Sequence, residues 1–167
     1  MADVRDVVAH EWALPCPEGV GLRREFAELA LGCMGVPDPL VRDGGLMASE
    51  LLTNAVEHGR APASMVAWKS ELGCAVLEVR DAGGSLPVLP SAISPDEVGW
   101  ERGSGWGLAL VTRCSGGRCG VEPLEPEPGK SVWFGLPIAG SPDAQVLRAQ
   151  VAARIATGRR APAVRIR

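Results

Sequence analysis

Apolar residues recur along this chain in two rhythms, and together they set out a series of helices and strands. Leu22, Phe26, Leu29 and Cys33 recur at intervals of four, three and four residues, the spacing of an amphipathic helix. Gly35 stands where such a helix ends. Arg23, Arg24, Glu25 and Glu28 take its other side, as solubilising charges or as a surface for a partner. A second helix is expected from about 39 to 58, where Asp38 supplies a cap and Pro39 fits the first turn. Gly44 and Gly45 weaken its middle enough to admit a break or kink. Gly59, Ala61 and Pro62 end it.

The period-two rhythm marks the strands. Residues 7–14 predict a first strand, stopped at Pro15-Cys16-Pro17. Residues 64–70 and 74–81 predict a hairpin, with Glu71-Leu72-Gly73 as its turn. In the second of these strands Leu77, Val79 and Asp81 share one face, which should be the buried one. From 83 to 103 there is no periodicity, and Pro87, Pro90 and Pro95 interrupt it; the reading is a lid over a ligand. A helix over 105–113 follows, ended by Gly116-Gly117, then a short strand over 118–122. In the last strand, 130–137, Val132, Phe134 and Leu136 alternate with Ser131, Trp133 and Gly135. An extra helix over 142–156 carries Leu147, Val151 and Ile155 on one stripe, and the chain loosens from Thr157.

Composition narrows the class. A chain of 167 residues is one domain by default, and 46% apolar residues suffice for a core. No apolar run approaches the ~20 residues of a membrane span, and the first residues do not read as a signal peptide, so a cytoplasmic protein is expected. Five cysteines without a Cys-x-x-Cys pair, and two histidines, argue against a zinc site and a disulfide framework. The net charge of −3 divides into −8 for residues 1–138 and +5 for 139–167. The acidic body is ill suited to direct nucleic-acid binding. The basic extension suits either an acidic partner or a solubilising end.

Three stretches carry candidate chemistry. The first is Ser49 to Gly59. At ~100° per residue, Glu50, Asn54, Glu57 and His58 fall in one sector of a helix and Leu51, Leu52, Ala55 and Val56 in the opposite one. The second is Asp81-Ala82-Gly83 at a strand end, either a turn-forming aspartate or a carboxylate kept for a ligand. The third is Gly103-Ser104-Gly105-Trp106-Gly107-Leu108 at a helix start. Glycines let backbone N–H groups approach phosphates, and a helix N-terminus adds partial positive charge. Magnesium takes hard oxygen ligands, such as the amide oxygen of Asn54 and phosphate oxygens. Glu50, one turn earlier, is placed to orient or deprotonate a hydroxyl. The Asp81 carboxylate accepts from the exocyclic amine of adenine and repels the guanine carbonyl, a preference for ATP over GTP.

Taken in order, Glu-x-x-x-Asn, Asp-x-Gly and Gly-x-Gly-x-Gly-Leu resemble the ATPase superfamily of DNA gyrase, histidine kinases and mismatch-repair ATPases. Within it, the chain is most similar to bacterial anti-sigma factor serine kinases. The likeness covers about 8–138 and includes Leu22-Arg23-Arg24, Ser49 to Gly59, Val79 to Gly83, Gly103 to Val111 and Gly129 to Phe134. It implies an α/β (α+β) two-layer sandwich, a mixed, mainly antiparallel sheet with helices on one face. It also implies an ATPase domain over 1–138 and a basic, partly helical extension over 139–167. By position, Glu50 would be the catalytic base and Asn54 the magnesium ligand. Asp81 and Gly83 would read adenine, with the Ser131 hydroxyl near it. Gly103, Gly105, Gly107 and Leu108 would bind the phosphates of ATP. The implied partners are a serine-bearing anti-sigma factor antagonist, a sigma factor, and a second copy of the chain in a homodimer.

The sequence departs from the pattern at Ser85, where a second glycine is often found, and in a short lid whose nearest basic group for the terminal phosphate is Arg102. Two readings therefore stand. One is a magnesium-ATP-dependent serine kinase that doubles as an anti-sigma factor, favoured by Glu50. The other is a nucleotide-gated protein-binding module without phosphoryl transfer, favoured by the reduced lid.

Overall fold

The computed structural model describes residues 6–12, 19–90, 106–126 and 128–157. The expected elements occur in the expected order. They are β1 (Asp6–Trp12), α1 (Gly19–Cys33), α2 (Asp38–His58), β2 (Ala63–Lys69), β3 (Cys74–Asp81), α3 (Trp106–Cys114), β4 (Cys119–Pro123), β5 (Lys130–Pro137) and α4 (Ala144–Ala156). The strands form one five-stranded sheet in the order β1-β2-β3-β5-β4. Every pairing is antiparallel. In the β3–β5 register Asp81 stands opposite Lys130, Val79 opposite Val132 and Leu77 opposite Phe134.

Three helices cover one face. Ala63, Met65 and Ala67 of β2, Leu77 and Val79 of β3, and Val132, Phe134 and Leu136 of β5 share a core with α1, α2 and α3. In α2 the buried residues Gly44, Gly45, Met47, Ala48, Leu51, Leu52 and Ala55 follow the helical period. The helix runs unbroken through its two glycines. Their role is close approach: a Cβ on Gly44 would meet Leu31 and Leu136, and one on Gly45 would meet Glu28. The missing side chains let α1 sit down on α2, and that packing outweighs the ~1 kcal/mol propensity cost of each glycine.

This close approach also corrects the reading of α1. Its buried side is Ala27, Ala30 and Leu31, and of the expected Leu22–Phe26–Leu29–Cys33 stripe only Phe26 packs against the core. Leu22 and Leu29 are 73% and 63% exposed, and Cys33 is exposed. The room left by Gly44 and Gly45 is taken by Leu31 and Glu28, which turns this side of α1, with Ala27 and Ala30, onto α2. The α2 start is corrected as well. Pro37 occupies the cap position, Asp38 lies inside the first turn, and no side chain caps the helix. Asp38 still complements the helix dipole there.

The fourth helix adds a layer on the other face. Leu147, Val151 and Ile155 of α4 pack with Val66, Trp68, Cys74, Val76 and Trp133. Buried on both faces, β3 and β5 read as nearly continuous apolar runs. Asp143 caps α4, accepting from the Gln145 and Val146 amides at 2.8 and 3.1 Å. Arg148 donates to the Cys119 and Gly117 carbonyls at 3.0 and 2.8 Å, and the Arg154 guanidinium lies 4.3 Å from the Trp68 ring centroid.

The same face buries a polar cluster. Glu78, fully buried, accepts from Trp68 Nε1 at 2.6 Å, from Ser131 Oγ at 3.0 Å and from Arg80 Nη2 at 2.7 Å. Burial pushes the nearby Glu122 carboxyl above the ordinary glutamate range; the Trp133 side chain draws it partly back, and the Glu78 charge raises it further. A carboxyl whose folded value is raised binds its proton more tightly in the folded state. Stability from it is therefore present at low pH and is lost as pH climbs from the unfolded value through the raised one. Glu122→Gln should flatten this decline. Urea midpoints across that acid range should diverge in the variant's favour as pH rises; parallel curves would contradict the assignment.

Candidate functional site

The face shared by α2, β3 and β5 carries a cavity of about 240 Å³ at the Asp81 end of the central strands. Leu51, Asn54, Ala55 and His58 of α2 form one wall. Val79 and Asp81 of β3 with Lys130 and Val132 of β5 form the floor. Leu108, in the first turn of α3, and Ser85 and Pro87, beyond β3, complete it. Its apolar lining with a few convergent polar groups is the usual make-up of a small-molecule site.

Asp81 is 3% exposed, yet it is well partnered. Its Oδ1 accepts from Gly83 N at 2.7 Å, from Lys130 Nζ at 2.9 Å and, at the long limit of 3.4 Å, from Arg60 N. Asp81 organises the turn into Gly83, the first of the two roles open to it in the sequence, and it also faces the cavity. Gly83 is required there, since a Cβ would lie 2.8 Å from Asp81 Oδ1 and 3.1 Å from Lys130 Nζ. Asn54, half-buried on the cavity wall, has no side-chain hydrogen bond among the described residues.

Glu50 lies apart from this lining. Its half-buried carboxylate rests against Gly107 at the start of α3, where a Cβ on residue 107 would collide with Oε2. Gly107 thus makes room for Glu50 beside the N-terminal turn of α3, whose N–H groups lack intrahelical partners. Arg102, Gly103 and Gly105, and most of the expected lid, lie outside the described residues.

Ser131 is a correction. Its hydroxyl donates to Glu78 on the α4 side of the sheet, with the sheet between it and the cavity. Successive residues of a strand face opposite ways, so Ser131 and Lys130 cannot share a face. Lys130 takes the cavity position instead, 4% exposed and paired with Asp81. The alternation of Val132, Phe134 and Leu136, carried back one step, would have found it. His58 and Ser85 are the other polar lining residues; the His58 side chain is 66% exposed and lies 3.7 Å from the Glu57 carboxylate.

Among the described residues no helix is long and apolar enough to cross a membrane. No curated protein matches the chain. Among solved structures it is similar to the histidine kinase domain from Erythrobacter litoralis EL346 blue-light activated histidine kinase, at 19% identity and a TM-score of 0.44 over 81% of this chain and 65% of that one. It is also similar to full-length ShkA in complex with AMPPNP, at 19% identity and a TM-score of 0.42 over 80% and 32%. The chain therefore spans less than two thirds of either structure. Residues 16–115, more than half of the chain, match the family described as the histidine kinase-like ATPase domain, and to that family this chain belongs.

Proposed function

We propose that the chain is an ATP-binding regulator that holds magnesium-ATP in the cavity between α2, β3 and β5 and phosphorylates a serine of an anti-sigma factor antagonist. The observation that carries the nucleotide reading is convergence: Asn54, Asp81 and Leu108, from three distant segments, meet around one cavity. Membership of an ATPase domain family supports ATP as the ligand. The residues fit the ion and the base. The unbonded amide of Asn54 is a hard oxygen ligand for magnesium, and Asp81 Oδ2 has no hydrogen-bond partner among the described residues. Bound magnesium would neutralise charge on the phosphates. Asn54 would orient the phosphates, and Asp81 would hold the base. Glu50 would take the proton of the serine hydroxyl as its oxygen bonds to the terminal phosphorus and ADP departs.

A regulator of this kind also needs a protein surface. Leu22 and Leu29 of α1, exposed on one side of the domain, suit contact with a sigma factor or with a second copy of the chain. The competing reading, a nucleotide-gated binding module, draws support from the place of Glu50 against Gly107 and outside the cavity lining.

The test is transfer of label from γ-labelled ATP to serine-bearing antagonist proteins. With Glu50→Gln, transfer should fall by at least about 100-fold, the lower range for loss of a general base, while ATP affinity is kept. Equal transfer by wild type and variant would remove Glu50 from the chemistry. ATP binding without transfer to any antagonist would favour the binding module.

A further inference from the structure

The inner end of the cavity presents more than a carboxylate. Lys130 Nζ donates to Asp81 Oδ1 at 2.9 Å, and this is its one hydrogen bond among the described residues. An ammonium carries three protons, so two remain for a ligand. Asp81 Oδ2 remains as an acceptor beside them. Both side chains line the cavity, and Gly83 keeps one flank of the ammonium clear of a side chain, since a Cβ there would lie 3.1 Å from Nζ. Donor and acceptor thus stand together where Asp81 alone would offer an acceptor only.

That difference bears on which purine fits. Adenine offers an amine donor at position 6 and an acceptor at N1. Guanine and hypoxanthine offer a carbonyl acceptor at position 6 and a donor at N1. A lone carboxylate accepts the adenine amine and repels the 6-carbonyl. A carboxylate with an ammonium beside it can satisfy both edges, with the ammonium donating to O6 while the carboxylate accepts from N1–H. We propose that Lys130 is a specificity-determining residue that opens this site to 6-oxopurine nucleotides, so that its ligands are purine nucleoside triphosphates rather than ATP alone. This rests on the nucleotide reading of the same cavity.

The test is calorimetric titration of ATP, GTP and inosine triphosphate, each with magnesium, into wild type, Lys130→Met and Lys130→Thr. Inosine triphosphate keeps the 6-carbonyl and N1–H but lacks the 2-amine, so it isolates the contact assigned to Lys130. In the wild type, GTP and inosine triphosphate should bind within about 10-fold of ATP. In both variants they should weaken by about 10- to 100-fold, the worth of a charged hydrogen bond, while ATP changes far less. The wild-type comparison needs no substitution, so it stands even where a variant folds poorly. Binding of ATP with both 6-oxopurines at least ~100-fold weaker in the wild type would overturn the inference and leave the nucleotide reading intact. An unchanged ratio in folded variants would do the same. Failure of all three nucleotides to bind folded wild type would overturn both.

Discussion

Replacing Asp81 with alanine is expected to cost about 3–5 kcal/mol of folding stability, the penalty for removing one partner of a buried ion pair. The size follows from what would be left behind. Lys130 is 4% exposed, and Asp81 is its one hydrogen-bond partner among the described residues. Without Asp81 its ammonium would be buried and unpaired. Gly83 N–H would lose its acceptor too. The reverse change, Lys130→Met, should cost less, because Asp81 would keep the Gly83 amide at 2.7 Å and the weaker Arg60 amide. The double variant should be more stable than Asp81→Ala alone, since it removes the orphaned cation. Urea unfolding of the four proteins checks this order. A single Asp81→Ala variant within about 1 kcal/mol of wild type would contradict this account, since the cavity would then hydrate the ammonium well enough to replace its partner.

The pair also shows how far the sequence could be read. The strands were legible because alternation reports which side of a sheet a residue takes. Leu77, Val79 and Asp81 do share the cavity face, and β5 spans the residues expected of it. The stripe Leu147–Val151–Ile155 is buried as its spacing requires. What misled was treating an apolar residue as a core residue. Leu22 and Leu29 keep perfect helical spacing and face solvent, because the α1–α2 contact is set by the room at Gly44 and Gly45, which Leu31 and Glu28 occupy. No hydropathy pattern carries that information; steric fit does. Ser131 was misplaced for a different reason. A hydroxyl was expected near the base, and the residue type overrode the strand parity that puts Lys130 there. The third layer was legible only in part. The Trp133 face of β5 needed a cover, yet helices were expected on one side of the sheet alone. Asn54 does line the cavity, but beside Leu51 and Ala55, which the helical wheel puts in the opposite sector, while Glu50 and Glu57 of its own sector do not.

Asn54 supplies the second large effect. Its side chain has no hydrogen bond among the described residues, and it is half-buried on an open cavity wall. Asn54→Ala should therefore leave stability within about 0.5 kcal/mol of wild type, as for other substitutions away from structural contacts. That makes it a clean probe of binding. The amide oxygen is the protein ligand proposed for magnesium, which would offset charge on the phosphates. Its loss should weaken binding of magnesium-ATP by at least about 10-fold, the worth of a contact to a charged group, and abolish most of the dependence on the ion. Binding of ATP without magnesium should change little.

The central claim is that this cavity binds magnesium-ATP. It is tested most directly by calorimetric titration of ATP, with and without magnesium, into wild type and Asn54→Ala. The account predicts saturable binding by the wild type that tightens with magnesium, and loss of that tightening in the variant. Absence of ATP binding by folded wild type, or binding that neither magnesium nor Asn54 affects, would contradict it.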